Sequence, residues 1–335
     1  MNVQIKSARQ AHSLETFRGV SRGFGGARTR DLLFAKVIQL NAILSIAVIL
    51  LIFIYLGKEA LPMFTSAEVQ KEASWSNLFL PQEYGTEEAP LPFVWQPVSE
   101  EPKYSLAPLF LGSLKVTLIA LLVAAPLSIA AAVYTAEFAP GWLRELIKPV
   151  IELLAGIPSV VLGFLALIVL ATWLQDVFDF DYRLNAINAG LALGLAIVPI
   201  IYTVSEDALS SVPRSYREAS LALGVTPWQT AWSVVLPAAF PGIFAALVLG
   251  FGRAIGETMI VLMASGNAAV FSWNLADSVR TVSATIAAEL GEVVFGSPHY
   301  HVLFLLGGSL LVLTFGLNFL GEFWSGRIKR RMQGT

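Results

Sequence analysis

The chain has 335 residues, 56% of them hydrophobic and only 14% charged, with a net charge of −2, a mean hydropathy of +0.67 and no cysteine. A water-soluble globular domain carries about 25% charged residues, so this composition excludes one, and the missing thiols exclude a disulfide framework and a thiolate metal or redox centre. What remains is an all-α integral membrane protein, for which no nucleic-acid partner is expected.

Residues 1–36 form a polar, basic tail. The apolar run 37–56 has span length, and Tyr55-Leu56-Gly57-Lys58 does not resemble a cleavage site, so it reads as a retained first transmembrane helix. Residues 57–108 are rich in proline and acids and are expected to form a solvated loop over the span ends, the alternative being a docking surface for a soluble partner on that face. Further spans are expected at 109–134, 150–174, 186–205, 236–264 and 301–323, followed by a basic tail, 324–335. Within them, Lys115 reads as a snorkelling lysine. Glu152 reads as a carboxylate at a helix N-terminus, and Pro126, Pro158 and Pro199 as kinks. His299 and His301 flank Tyr300 at the start of the last span and suggest an interfacial role; no metal site is expected.

Six spans place both termini on one side. That side collects fifteen of the 22 lysines and arginines against eight acids, whereas the other has five against fourteen acids. Positive loops face the cytoplasm, so both termini of this multi-pass protein are expected there.

Between the fourth and fifth spans, the loop 206–235 contains "SVPRSYREASLALGVTPWQTAWSVVLP" (211–237). Ser215 and Glu218 have the spacing of a capping box, Gly224 suits a left-handed helix stop, and Thr226 precedes Pro227 as a cap before a first-turn proline. Helix, glycine turn, helix is the expectation. Glu218-Ala219-Ser220, then Gly224, then Leu236-Pro237 resemble the EAA signature of ABC importer permeases, with Ser220 in place of the second alanine. That resemblance implies a type I permease fold and a docking element for a separate ATPase dimer at Glu218, Ala219, Ser220 and Gly224. The stretches "LGSLKVTLIALLVAAPLSIAAAVYTAEF" (111–138), "KPVIELLAGIPSVVLGF" (148–164), "GRAIGETMIVLMASGN" (252–267) and "SATIAAEL" (283–290) are similar to the phosphate-specific permeases of the PstC type. This implies a PstA-type second permease, an extracytoplasmic phosphate-binding protein and phosphate as cargo. No phosphate-binding G-x-x-x-x-G-K-[ST] loop occurs, since the one Gly-Lys, Gly57-Lys58, is followed by Glu59. The chain is therefore expected to be a transporter subunit that neither hydrolyses ATP nor needs a cofactor.

The fifth span carries Arg253 and Glu257, four residues apart and hence on one helical face. Each charge in mid-membrane costs about 2.5–3.5 kcal/mol on insertion scales. Either the two neutralise one another, or Arg253 is an anion contact that Glu257 holds in place until an anion arrives. A guanidinium offers planar, bidentate donors that fit a tetrahedral oxyanion. Gly252 and Gly256 form a small-residue pair on an adjoining stripe, suited to close approach of another helix at a subunit interface. A permease for another oxyanion or solute, or an autonomous carrier or channel, would accommodate the charged pair equally well. The capped loop helices favour the importer.

Overall fold

The computed structural model describes residues 24–82, 84–86 and 89–332. Most of the basic N-terminal tail, the last three residues and Glu83, Glu87 and Glu88 lie outside them. Two compact units divide the chain, one ending at Leu56 and one beginning at Gly57. The first is built on α1 (Phe24–Ala60), which carries the first apolar run.

In the second unit, the short helices α2 (Pro62–Thr65), α3 (Ala67–Glu72) and α4 (Trp75–Phe79) lead into two small antiparallel hairpins. These are β1 (Tyr84–Thr86) with β2 (Ala89–Leu91), and β3 (Trp95–Gln96) with β4 (Lys103–Tyr104), the latter pairing Trp95 with Tyr104. The spans follow. α5 (Ala107–Val133) runs into a π turn, Tyr134–Phe138, and is followed by α6 (Gly141–Ala155). α7 (Ser159–Leu165) and α8 (Ala171–Phe178) are joined by a π turn, Ala166–Leu170. α9 (Ala186–Ser210) leads to α10 (Arg214–Ala222). α11 (Pro227–Thr230) continues through a π turn, Ala231–Val235, into α12 (Leu236–Gly256). α13 (Met259–Ala264), α14 (Val282–Glu289) and α15 (Pro298–Met332) complete the chain.

Among the described residues, six helical stretches are long and apolar enough to cross a membrane: Asp31–Thr65, Ala107–Phe138, Ser159–Phe178, Ala186–Ser210, Pro227–Gly256 and Pro298–Arg327. The number of spans stands, but several boundaries move: the first span widens to Asp31–Thr65, the fifth begins already at Pro227, and the shifts at the start of the third and the end of the fifth matter most. Residues 150–158 do not belong to the third span. They end α6, an amphipathic helix with no buried residue, and Gly156-Ile157-Pro158 breaks the chain before α7 begins. Pro158 thus opens a span, a place where its missing N–H costs nothing, whereas α5 and α9 continue through Pro126 and Pro199. Glu152, accordingly, sits near the C-terminus of α6, exposed, and not at a helix start. The fifth span stops at Gly256 instead of running to 264.

α9 is the axis of the bundle, with 61% of its membrane-length window buried. It packs α5 on one side and α12 on another through Ala189, Ala192, Leu193, Ala196, Ile197 and Ile201. In lipid there is no hydrophobic drive to bring helices together, so small residues that permit close backbone contact do it. Gly194 meets the carbonyl of Ala120, and Gly250 meets Ile201.

Residues 57–108 are more than a solvated loop. Met63, Val69, Ala73, Leu78, Trp95 and Tyr104 are buried with Leu106 and Leu109 at the start of α5 and with Val302, Leu303 and Leu306 of α15. The segment is thus a cap with a core of its own, packed against the starts of α5 and α15. Burial pushes the Tyr104 hydroxyl up to about 12, helped by Glu72 and Glu289. His301 joins the cap to α15 through Nδ1 and the Glu59 carbonyl, 2.7 Å apart.

Candidate functional site: a helix–turn–helix and a broken span

Two regions gather the residues singled out from the sequence. In the first, α10 starts at Arg214 with Pro213 as its N-cap residue and no side-chain cap. Ser215 lies two residues past the cap position, already inside the first turn, so the Ser215–Glu218 box does not form; the rigid φ of Pro213 sets the entry instead. The helix stops as expected. Gly224 adopts φ +81°, and its N–H bonds to the Leu221 carbonyl at 2.9 Å. Thr226 then forms a full capping box with Gln229: Thr226 Oγ1 accepts the Gln229 N–H at 3.3 Å, and Gln229 Oε1 accepts the Thr226 N–H at 3.1 Å. The helix this starts does not end in the loop. It runs on as a 30-residue span to Gly256, roughly 45 Å at 1.5 Å per residue. α10 is therefore hinged by one glycine turn directly to a span.

Glu218, Ala219 and Gly224 are exposed, and Leu223 is 84% exposed, whereas Ser220 is buried and shares a hydrogen bond with Thr230 at 3.0 Å. Beside them a groove of about 600 Å³ runs between Tyr216, Ala219 and Leu223 on one wall and Gln229 and Ser233 on the other. A small, partly apolar, rigidly backed ledge of this kind can seat a protein partner.

Under the ledge lie two shielded carboxylates held by basic side chains, which the sequence reading does not single out. Arg217 grips both oxygens of Glu137 (Nε–Oε2 3.0 Å, Nη2–Oε1 2.6 Å). Glu206 is 1% exposed, holds Lys148 Nζ at 2.5 Å and has Arg144 Nη2 at 3.8 Å. The available signal was the i, i+4 spacing of Arg144 and Lys148 on an amphipathic stretch, which puts both on one face.

The second region is the break after α12. Glu257 is extended (φ −68°, ψ 135°), and α13 begins two residues on. Arg253 and Glu257 therefore do not share a helical face and form no ion pair. Glu257 is half-buried, with Oε1 accepting the Thr258 N–H at 3.2 Å and its carbonyl accepting Ser283 Oγ–H at 2.7 Å. Arg253 lies in the last turn of α12, where a cation complements the helix dipole. It is exposed, and no described residue bonds its guanidinium. The expected glycine seam divides: Gly252 abuts Asn318 of α15 in the same chain, and Gly256 faces open space.

The break lies at membrane depth. Below it Gly250 touches Ile201 in the middle of α9; above it Asn188, near the start of α9, donates Nδ2–H to the Ala264 carbonyl at 2.8 Å. α13 is wedged against α7, where a Cβ on Gly163 would stand 3.1 Å from the Met259 carbonyl. Irregular backbone at such depth persists only where protein buries it or water reaches it. Here an exposed guanidinium that no described residue bonds stands at the break, and such a group is able to hold an anion.

Lys115 has no part in this, and it does not snorkel. It is buried at 5% exposure, with Nζ donating to the carbonyls of Ser272 (3.1 Å) and Asn274 (2.6 Å). His299 is used structurally, with Nε2 2.9 Å from Glu289 Oε2. Among the described residues no three metal-ligating side chains cluster.

A family model described as "Binding-protein-dependent transport system inner membrane component" matches residues 124–334. The probable ABC transporter permease protein YqgH of Bacillus subtilis (strain 168) is 40% identical over 235 residues, 70% of this chain and 76% of that protein. The phosphate transport system permease protein PstC of Xylella fastidiosa (strain 9a5c) is 31% identical over 322 residues, 90% of this chain and 94% of that one. Among solved structures, a chain of a bacterial alginate ABC transporter, crystallised with an alginate-bound periplasmic protein, superposes with a TM-score of 0.56. It is 16% identical and covered to 95%, with 87% of this chain included, a likeness of fold.

Proposed function

The chain belongs to the binding-protein-dependent transport system inner membrane components, the permease subunits of ABC importers, and on that premise we propose that its cargo is inorganic phosphate. In this reading Arg253 is the anion contact, reached from the outer face and released inward as the spans rearrange. A PstA-type second permease completes the path, and an extracytoplasmic binding protein delivers the anion past an outer surface whose acids would repel it. An ATPase dimer docks at the exposed Glu218, Ala219 and Gly224, while Ser220, buried against Thr230, backs the ledge instead of facing the partner. The termini lie on the cytoplasmic side with this loop, in accord with the charge asymmetry.

The observation that carries the reading is the free guanidinium of Arg253 at the open end of a broken span. An arginine already committed to Glu257 would have to lose that partner first. Glu257 Oε1 takes only a backbone N–H, which leaves the carboxylate able to accept a hydrogen bond from a protonated phosphate oxygen. Sulfate has no such proton at neutral pH, so Glu257 would favour phosphate over sulfate.

Phosphate uptake in cells carrying Arg253→Gln, with assembly of the complex checked by co-purification, is the test. Loss of uptake in an assembled complex is expected; wild-type uptake would overturn the role. For Glu257→Gln the expected change is a smaller preference for phosphate over sulfate. Phosphate flux through the isolated chain without ATP would point instead to an autonomous carrier.

A further inference from the structure

We propose that Arg217 is the positioning residue through which motion of α10 is passed to the spans, by clamping the π turn at the end of α5. The proposal rests on α10 being the element that docks the ATPase.

The guanidinium makes five contacts in three directions. Nε and Nη2 bind the Glu137 carboxylate within the turn Tyr134–Phe138, Nη2 also donates to the Leu209 carbonyl at 2.9 Å, and Nη1 donates to the Val212 carbonyl at 2.6 Å. Leu209 lies in the last turn of α9 and Val212 in the link to α10. One side chain thus fastens α10 to α5 and to α9. Ser220, one turn further along α10, fastens the same helix to Thr230 at the base of the fifth span. Arg214, the other arginine of α10, is exposed and makes no such contact.

The turn is also held from its other side. Arg144 of α6 donates Nε–H to the Thr135 carbonyl at 3.1 Å and Nη2–H to the Ala136 carbonyl at 2.7 Å. A π turn leaves carbonyls displaced from the regular ladder, free for such donors, and is a common feature of functional sites. Glu137 is 9% exposed and Arg217 21%, so the pair is shielded and its planar two-point geometry resists shear. A displacement of α10 by a docked partner would pull the end of α5 through Glu137 while pushing α9 through Leu209. A lysine, a point charge with no fork, could not hold both carboxylate oxygens and two carbonyls at once.

The test uses the full chain in proteoliposomes with its permease and ATPase partners and the binding protein, measuring ATP hydrolysis and uptake of inorganic phosphate together. Arg217→Gln and Glu137→Gln should retain the ATPase in the purified complex and still hydrolyse ATP, while phosphate moved per ATP falls at least tenfold. Should Arg217→Gln fail to assemble, Arg217→Lys keeps the charge and should show the same fall. A wild-type ratio in any assembled single variant overturns the proposal. Ala219→Arg separates this from the docking premise: retention of the ATPase at wild-type levels with arginine on that ledge would refute docking at α10, whatever Arg217 does.

Discussion

Gly112 of α5 lies against the carbonyl of Arg280, so closely that a Cβ at position 112 would stand 2.3 Å from that oxygen. Beside it Ser113 Oγ accepts the Val282 N–H at 3.0 Å, and Val282, Ser283, Ala284 and Thr285 at the start of α14 are buried. The broken span depends on this docking, because Ser283 in turn holds the Glu257 carbonyl. Gly112→Ala has to push backbone, not a flexible side chain, and overpacking of that kind costs about 1–3 kcal/mol. A lower thermal midpoint in detergent is expected, with Gly308→Ala, which meets nothing within 4 Å, close to wild type. Equal midpoints for the two variants would contradict the packing.

Glu289 ends α14 and joins it to the outer cap. Oε1 accepts Trp95 Nε1–H at 3.1 Å and Arg280 Nη2–H at 2.7 Å, and Oε2 lies 2.9 Å from His299 Nε2. Burial alone raises the carboxyl pKa, but the hydrogen bonds from His299 and Trp95, with the charge of Arg280, outweigh it and hold it below its ordinary 4.5. A depressed folded pKa means stability that is present above the unfolded value and lost as pH falls through the folded one. Glu289→Gln should therefore be less stable than wild type at neutral pH, and the gap should close as pH drops below 4.5. Thermal unfolding of both proteins across that range checks this; a gap that widens on acidification would refute it.

Lys115 anchors the segment after α13 from inside the bundle. Replacing it with methionine keeps the volume but strands the carbonyls of Ser272 and Asn274. Hydrogen bonds to a charged donor contribute about 1.5–3 kcal/mol each. In Lys115→Met, faster amide exchange is expected around 268–279, with α9 and α12 unaffected. Unchanged exchange there would mean that the lysine does not anchor the segment.

These residues also mark where sequence reasoning stops. Gly224, Thr226 and Pro227 were legible because caps and left-handed stops are local chemistry, settled within three or four residues. The six spans were legible because length and hydropathy impose them. Lys115 was not, since the carbonyls that hold it are 157 and 159 residues away. The break at Glu257 was hidden for a different reason. Residues 251–263 contain no proline, and a glycine is tolerated within an apolar run. What ends the helix is tertiary: Ser283 takes the Glu257 carbonyl, and Gly163 makes room for α13. Arg217 was overlooked beside Glu218, because Glu137, the carboxylate it grips, lies 80 residues away in the sequence.

The separation of Arg253 from Glu257 has a thermodynamic signature. Had the two formed a shielded pair on one face, removing either partner would leave the other charge buried and cost about 3–5 kcal/mol. In a double-mutant cycle most of that cost would reappear as coupling. Instead Arg253 is exposed, and Glu257 bonds the N–H of its own neighbour. Arg253→Gln, Glu257→Gln and the double variant should therefore show stability changes that add, with a coupling below about 0.5 kcal/mol. Denaturant or thermal unfolding of the three proteins in detergent measures it. A coupling above about 1.5 kcal/mol, within the range seen for contacting residues, would place the side chains together after all. Transport should separate from stability in the same set: Arg253→Gln is expected to abolish phosphate uptake while unfolding close to wild type, because an exposed guanidinium that no described residue bonds contributes little to the fold that carries it.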